Sequence, residues 1–192
     1  MLDALLHDLK ALWQARRREV DAKFRRTLPL ADYVVDRWEK ARELGFGEGS
    51  SIYDSVLVLG DVRVGANTWI GPFVVLDGSG GLMIGSHCSI SAGVQIYSHD
   101  TVDWAISGGL AQATHAPTSI GDNCYIGPNA VVAKGVRIGS GCIIGANSLV
   151  LDDIEADSKA FGTPCRAVGH AIGAIDAPCP PEHRRPEAEP AT

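Results

Sequence analysis

A branched aliphatic residue returns at every sixth position along most of this chain. The series runs Ile52, Val58, Val64, Ile70 and Leu76, slips by two, and continues at Ile84, Ile90 and Ile96. After a gap of 24 residues, itself four sixes, it resumes at Ile120, Ile126, Val132, Ile138, Ile144 and Val150. Glycine follows many of these positions: Gly65, Gly71, Gly85, Gly121, Gly127, Gly139 and Gly145. A helix repeats at about 3.6 residues and a half-buried strand at about 2, so neither produces a strict six. A solenoid of short strands with one corner per hexad does, and a hexapeptide period is the mark of a parallel β-helix. Three hexads close a triangle of about 18 residues, so residues 52–150 predict about four to five coils.

Three segments follow from this pattern. Residues 1–48 are predicted to be helical. Leu2, Leu5, Leu6, Leu9, Leu12, Trp13, Val20 and Phe24 keep to one stripe of a helix over 2–26, which Pro29 ends. A second helix is expected from Leu30 to Leu44 with Val34, Val35, Trp38 and Ala41 inward, stopped by Gly45 and Gly47. These helices are expected to cover part of the open end of the coil stack, since end coils of a solenoid need a cap. Residues 49–169 form the solenoid domain. Tyr97 to Pro117 leaves the repeat, so 97–117 projects as a loop, and long loops in a strict solenoid carry function. Residues 170–192 are Pro-rich and charged and read as a disordered tail.

Composition removes several classes. A net charge of -6 gives no reason to expect nucleic acid. No apolar run reaches the roughly 18 residues of a membrane span, and the charges among the first leucines do not suit a secretory signal. The expectation is a cytoplasmic protein without stable membrane insertion; Arg16, Arg17 and Arg18 read as a solvated helix face rather than a membrane contact. Five cysteines with no C-x-x-C pair suit neither a disulfide framework nor a zinc site. Cys88, Cys124 and Cys142 each lie two residues before a core aliphatic, in a slot that elsewhere holds Thr68, Val74, Val94, Thr118, Ala130, Val136 or Ser148. They read as small inward hydrophobes.

The repeat, the His-bearing loop and the closing segment together resemble the hexapeptide-repeat acyltransferases of left-handed β-helix type. The resemblance covers about Tyr53 to Gly169 and is carried by SHD at 98–100, IGDNCYIGPNAVVAKGVRIG at 120–139, IGANSLV at 144–150 and FGTPCRAVG at 161–169. Within them the chain is most similar to sugar O-acetyltransferases of the galactoside and maltose type and to enzymes of surface-polysaccharide biosynthesis. The resemblance implies a left-handed coil, a homotrimer with sites between neighbouring solenoids, acetyl-CoA as co-substrate and no metal. It also implies that His99 is catalytic.

The chemistry asked of such a site is limited by the nucleophile, because a sugar hydroxyl is almost fully protonated at neutral pH. A neutral imidazole can take that proton during attack, and a backbone N–H can steady the oxyanion. His99, which opens the loop, suits this role; His115, where the chain rejoins the solenoid, is the competing base. Asp100 or Asp103 could orient the ring or hold the acceptor, and Trp104 could stack on a sugar. Asp77, in the Gly-rich corner one coil earlier, matches the place of an acceptor-binding carboxylate in relatives; its alternative is a turn Asp bonding its own backbone. By resemblance Tyr125, Gly127, Ala133 and Ala146 flank the pantetheine arm, and Arg166 matches a basic residue that meets the nucleotide phosphates. Relatives often carry a lysine where this chain has Leu151-Asp152-Asp153, which shifts weight to Arg166 and Lys134. Three other readings stand beside this one: N-acetylation of a nucleotide-linked amino sugar, a carbonic-anhydrase-like metalloenzyme using His87, His99 and His115, and a non-catalytic scaffold.

Overall fold

The computed structural model describes residues 2–171. The hexads wind into a parallel β-solenoid, a left-handed β-helix preceded by helices. Its first face stacks β1 (Ser51–Ile52), β3 (Trp69–Ile70), β5 (Ser89–Ile90), β10 (Tyr125–Ile126), β13 (Ile143–Ile144) and β15 (Ser158–Phe161) in parallel. The other two faces share longer strands. β2 (Leu57–Val64) and β4 (Val75–Ile84) run through the corner between them. One face is completed by β6 (Gln95–Ile96), β11 (Val131–Val132) and β14 (Leu149–Val150), the other by β9 (Thr118–Ile120) and β12 (Arg137–Ile138).

Register keeps each core aliphatic above its equivalent: Ile52, Ile70, Ile90, Ile126, Ile144 and Ala160 are successive partners on the first face, each at most 1% exposed. That is six rungs, more than the four to five coils expected. The difference lies after Val150, where the spacing shortens to four residues before Ile154, which bridges to Ile138, and then returns to six at Ala160. Each buried aliphatic contributes roughly 1.5–3 kcal/mol of transfer free energy, so the column of rungs is the main cohesive element. β16 (Arg166–His170) turns back antiparallel on β15 and closes the stack.

The corners explain the glycines and the thiols. The glycines after the aliphatics are there for close approach: a Cβ on Gly127 would lie 2.5 Å from the Ala146 nitrogen of the next coil. The corner before the first face places Asn67, His87, Asn123 and Asp157 in the left-handed region, φ 54–59°. The residue after each of these points inward and donates across the corner. Thr68 Oγ1 reaches the Gly85 carbonyl at 2.8 Å, Cys88 Sγ the Gly121 carbonyl at 3.1 Å, Cys124 Sγ that of Gly139 at 3.1 Å and Cys142 Sγ that of Glu155 at 3.0 Å. The slot expected to be merely small and apolar is, at this corner, a ladder of donors.

The helices depart from expectation. The first, α1 (Leu2–Phe24), buries no residue, and its leucines stay exposed. The single helix expected over 30–44 is two, α2 (Leu30–Val34) and α3 (Arg37–Glu43). Asp36 causes the break, because its carboxylate caps α3 by accepting from the Trp38 and Glu39 amides at 2.9 Å. The inward set shifts accordingly: Ala41 is buried, Val34 is exposed, and Asp32 and Tyr33 are inside. Ala41 and Phe46 join the solenoid core, so the segment around α3, not α1, covers the first coil. No described helix is long and apolar enough to cross a membrane. The tail expectation for 172–192 lies outside the described residues.

Candidate active site

The insertion after Leu76 and the departure after Ile96 occur at the same corner of neighbouring coils, because Leu76 and Ile96 are register partners. This brings Asp77 beneath His99. Asp77 is fully buried, and His99 Nδ1 lies 2.6 Å from its Oδ2. The same oxygen accepts from the Ser98 amide at 2.9 Å and the His99 amide at 3.1 Å. Oδ1 accepts from the Ser79 amide at 3.0 Å and the Ser79 hydroxyl at 2.6 Å. Ser98 Oγ in turn accepts from the Gly80 amide at 2.8 Å, tying the two corners together.

Burial pushes the Asp77 carboxyl up, but donors from the Ser79 hydroxyl, the Ser98 amide, the His99 ring and the Ser79 amide outweigh it. Together they hold it well below the usual carboxylate range. An ionised carboxylate only accepts, so the contact puts the ring proton on Nδ1 and the lone pair on Nε2. His99 keeps 31% of its side-chain surface exposed, enough for Nε2 to meet a substrate.

The loop leaves through β7 (His99–Asp100), carries α4 (Val102–Ile106) and returns through β8 (Thr114–His115), antiparallel to β7. Its root is pinned. Asp100 accepts from Lys134 Nζ at 2.8 Å and the Thr114 hydroxyl at 3.0 Å, and Lys134 also bonds that hydroxyl. Lys134 holds the Asp100 carboxyl below its ordinary value, with the Val102 amide adding to it. Thr118, buried where the loop rejoins the coil, donates to the Tyr97 carbonyl at 2.7 Å and accepts from the Gly135 amide at 2.9 Å.

Of the residues singled out from sequence, His99, Asp77 and Asp100 come together. Asp77 spends both oxygens on this corner rather than facing an acceptor, and it makes the turn-type bond to Ser79 as well. Asp100 bonds Lys134 and Thr114. Asp103 and Trp104 sit on exposed α4, with no side-chain bond to the His99–Asp77 pair. The positions assigned to the co-substrate fall into three groups. Tyr125, Gly127 and Ala146 lie along the first face and the corner after it; Ala133 and Lys134 lie at the loop root; Arg166 lies on β16 and bonds Asp152 Oδ2 at 3.1 Å and the Cys165 carbonyl at 2.8 Å. An open groove of about 550 Å³ follows the third face beside the loop's return, lined by Arg63, Met83, Pro117, Ser119, Gly135 and Arg137. His87 occupies the corner before the first face, so the three histidines of the metalloenzyme reading do not share a corner.

Sequence reasoning missed Ser79, Ser98, Thr114 and Thr118. The first two carried a signal: each lies within two residues of a singled-out acid or histidine, and serine at that distance commonly bonds a neighbouring carboxylate or amide.

Comparison with known proteins agrees with this architecture. Residues 117–152 match the bacterial transferase hexapeptide family, described as six repeats. A probable serine acetyltransferase 5 of Oryza sativa subsp. japonica is 37% identical over 108 residues, 56% of this chain and 30% of that protein. The chain therefore spans under a third of that curated relative's length. A maltose O-acetyltransferase from Clostridium difficile 630 superposes with a TM-score of 0.55 at 25% identity, over 85% of this chain and 84% of that one. AntD, an N-acyltransferase from Bacillus cereus solved with dTDP and Coenzyme A, superposes with a TM-score of 0.59 at 20% identity, over 65% and 72% of the two chains.

Proposed function

We propose that this chain, a member of the hexapeptide-repeat acyltransferase family, transfers acetyl from acetyl-CoA to a hydroxyl of a sugar or surface-polysaccharide precursor. The observation that carries the reading is the 2.6 Å contact between His99 Nδ1 and buried Asp77. It leaves Nε2 as the base. The acceptor O–H proton moves to Nε2 as the oxygen attacks the thioester carbonyl. The tetrahedral intermediate then expels the CoA sulfur, and the imidazolium returns the proton to it. Asp77 stays ionised throughout and steadies the imidazolium. Direct transfer suits the cysteines, since Cys88, Cys124, Cys142 and Cys165 are all buried and offer no nucleophile at this corner.

Backbone along the Gly127–Ala146 seam would hold the pantetheine arm, with Tyr125 and Ala133 beside it. Arg166 and Lys134 would meet phosphate only by exchanging Asp152 and Asp100 for it. The acceptor would meet the loop through Asp103 and Trp104. A homotrimer, working in the cytoplasm where acetyl-CoA is made, would set the exposed Trp104, Ile106 and Leu110 of each loop against a neighbouring solenoid. The hydroxyl acceptors in the names of the serine and maltose relatives support O-transfer.

Thiol release from acetyl-CoA, measured with sugars, nucleotide-sugars, amino sugars and serine, tests the reading. Acceptor-dependent release is expected, falling at least about 100-fold in His99→Ala. Release confined to amine acceptors and indifferent to His99→Ala would replace it with N-acetylation, and failure to bind CoA at all would replace it with a scaffold.

A further inference from the structure

We infer that His115 is a positioning residue whose neutral imidazole stacks on His99 and stabilises it in the protonated form. The inference deepens, and rests on, the base role proposed for His99. The antiparallel register of β7 and β8 sets His99 directly opposite His115. Their rings stack with centroids 5.8 Å apart and planes 23° from parallel. The backbone imposes this stack. The Ala116 amide donates to the Ser98 carbonyl at 2.9 Å, and the Asp100–Thr114 bond fixes the next pair along the two strands. Gly80 lies against the same strand: a Cβ there would press on the Ser98 carbonyl and reach 3.3 Å from His115 Cβ.

The chemistry of the stack depends on charge. The face of a neutral aromatic ring attracts a cation within about 6 Å of its centre. Proton transfer from the acceptor makes His99 such a cation, held at its edge by Asp77 and on its face by His115. The other charged groups bonded to these strands are Asp100 on β7 and Lys134 from the following coil, and they pair with each other. A proton on His115 would replace the attraction with repulsion between two like charges. His115 therefore supports the base only while neutral, which separates it from a second base and from a ring that merely fills space.

NMR titration of the His99 ring proton from about pH 4 to 9, in the full chain without acceptor, reads this directly. The parent is expected to give a two-step curve with steps at least about half a pH unit apart, the repulsion of unit charges at that separation even in bulk water. His115→Phe keeps a neutral face and should give one step. His115→Arg keeps a planar stack but is permanently charged, and should titrate His99 at least about half a unit lower than His115→Phe does. Acetyl transfer should be at least about threefold slower with Arg than with Phe at this position. A one-step parent curve, or equal His99 midpoints in the two variants, overturns the inference. Absence of transfer in every form would instead sink the acetyltransferase reading, and the titration, which needs no substrate, would still decide the stack.

Discussion

Replacing Asp77 by Asn keeps the side chain's size but removes its charge and turns N–H groups toward donors that have no use for them. Ser79, Ser98 and His99 all donate into this carboxylate. The variant should therefore lose kcat by about 10²–10⁴-fold while the KM for acetyl-CoA moves little, because the ring loses its fixed tautomer and its counter-charge. Steady-state kinetics decides it, and an unchanged kcat would remove Asp77 from the mechanism. The same contacts predict a pH signature. The folded carboxyl sits below its unfolded value of about 3.9, so its contribution to stability is present above that pH and is lost as pH falls toward the folded value. The gap in urea stability between parent and Asp77→Asn should be full at neutral pH and narrow below about pH 4. His99 was legible as a residue because its S-H-D setting is local. The Asp77 partnership was not, since it joins positions 22 apart across the slip in the repeat; only setting Leu76 opposite Ile96, 20 residues on rather than 18, brings the two corners together.

Elements show a similar division between what periodicity reveals and what side-chain chemistry adds. The hexads predicted the strands and their inward residues, but period alone cannot tell an apolar slot from a donor slot. At the corner before the first face the slot holds Ser50, Thr68, Cys88, Cys124, Cys142 and Ser158, all hydroxyl or thiol. Burial raises the Cys142 thiol, which keeps it a donor. Cys142→Ser should therefore retain about 1 kcal/mol more stability than Cys142→Ala, which leaves the Glu155 carbonyl without this partner. Equal denaturation midpoints would restore the apolar reading. The loop behaves as an element through its root. Lys134→Met cuts the ties to Asp100 and Thr114 without emptying the space, so cleavage by protease within 101–113 should quicken at least about threefold. Unchanged cleavage would mean that Thr118 and the β7–β8 pairing hold the root by themselves. The helix break at Asp36 escaped the sequence because apolar spacing ran on through it, and one capping carboxylate outweighed that spacing.

The whole molecule is a stack in which each coil touches only its neighbours, so the consequence of a change depends on where in the stack it falls. Ile126 is fully buried between Ile90 and Ile144 on the first face. Cutting it to Ala removes contacts to both neighbours at once and should cost roughly 2–5 kcal/mol. For a chain of this size that lowers Tm by about 5–15 °C. α1 stands at the other extreme. It is the longest helix described, yet it buries no residue, and its recorded polar tie to the remainder is Arg16 Nε to the Tyr33 carbonyl at 3.0 Å. Deleting residues 1–24 should therefore shift Tm by less than about 2 °C, because the cap over the first coil comes from Ala41 and Phe46 and remains in place. Calorimetry on the two variants side by side makes the comparison. A large loss on deletion would show that α1 covers apolar surface in the assembled protein that a single chain leaves bare.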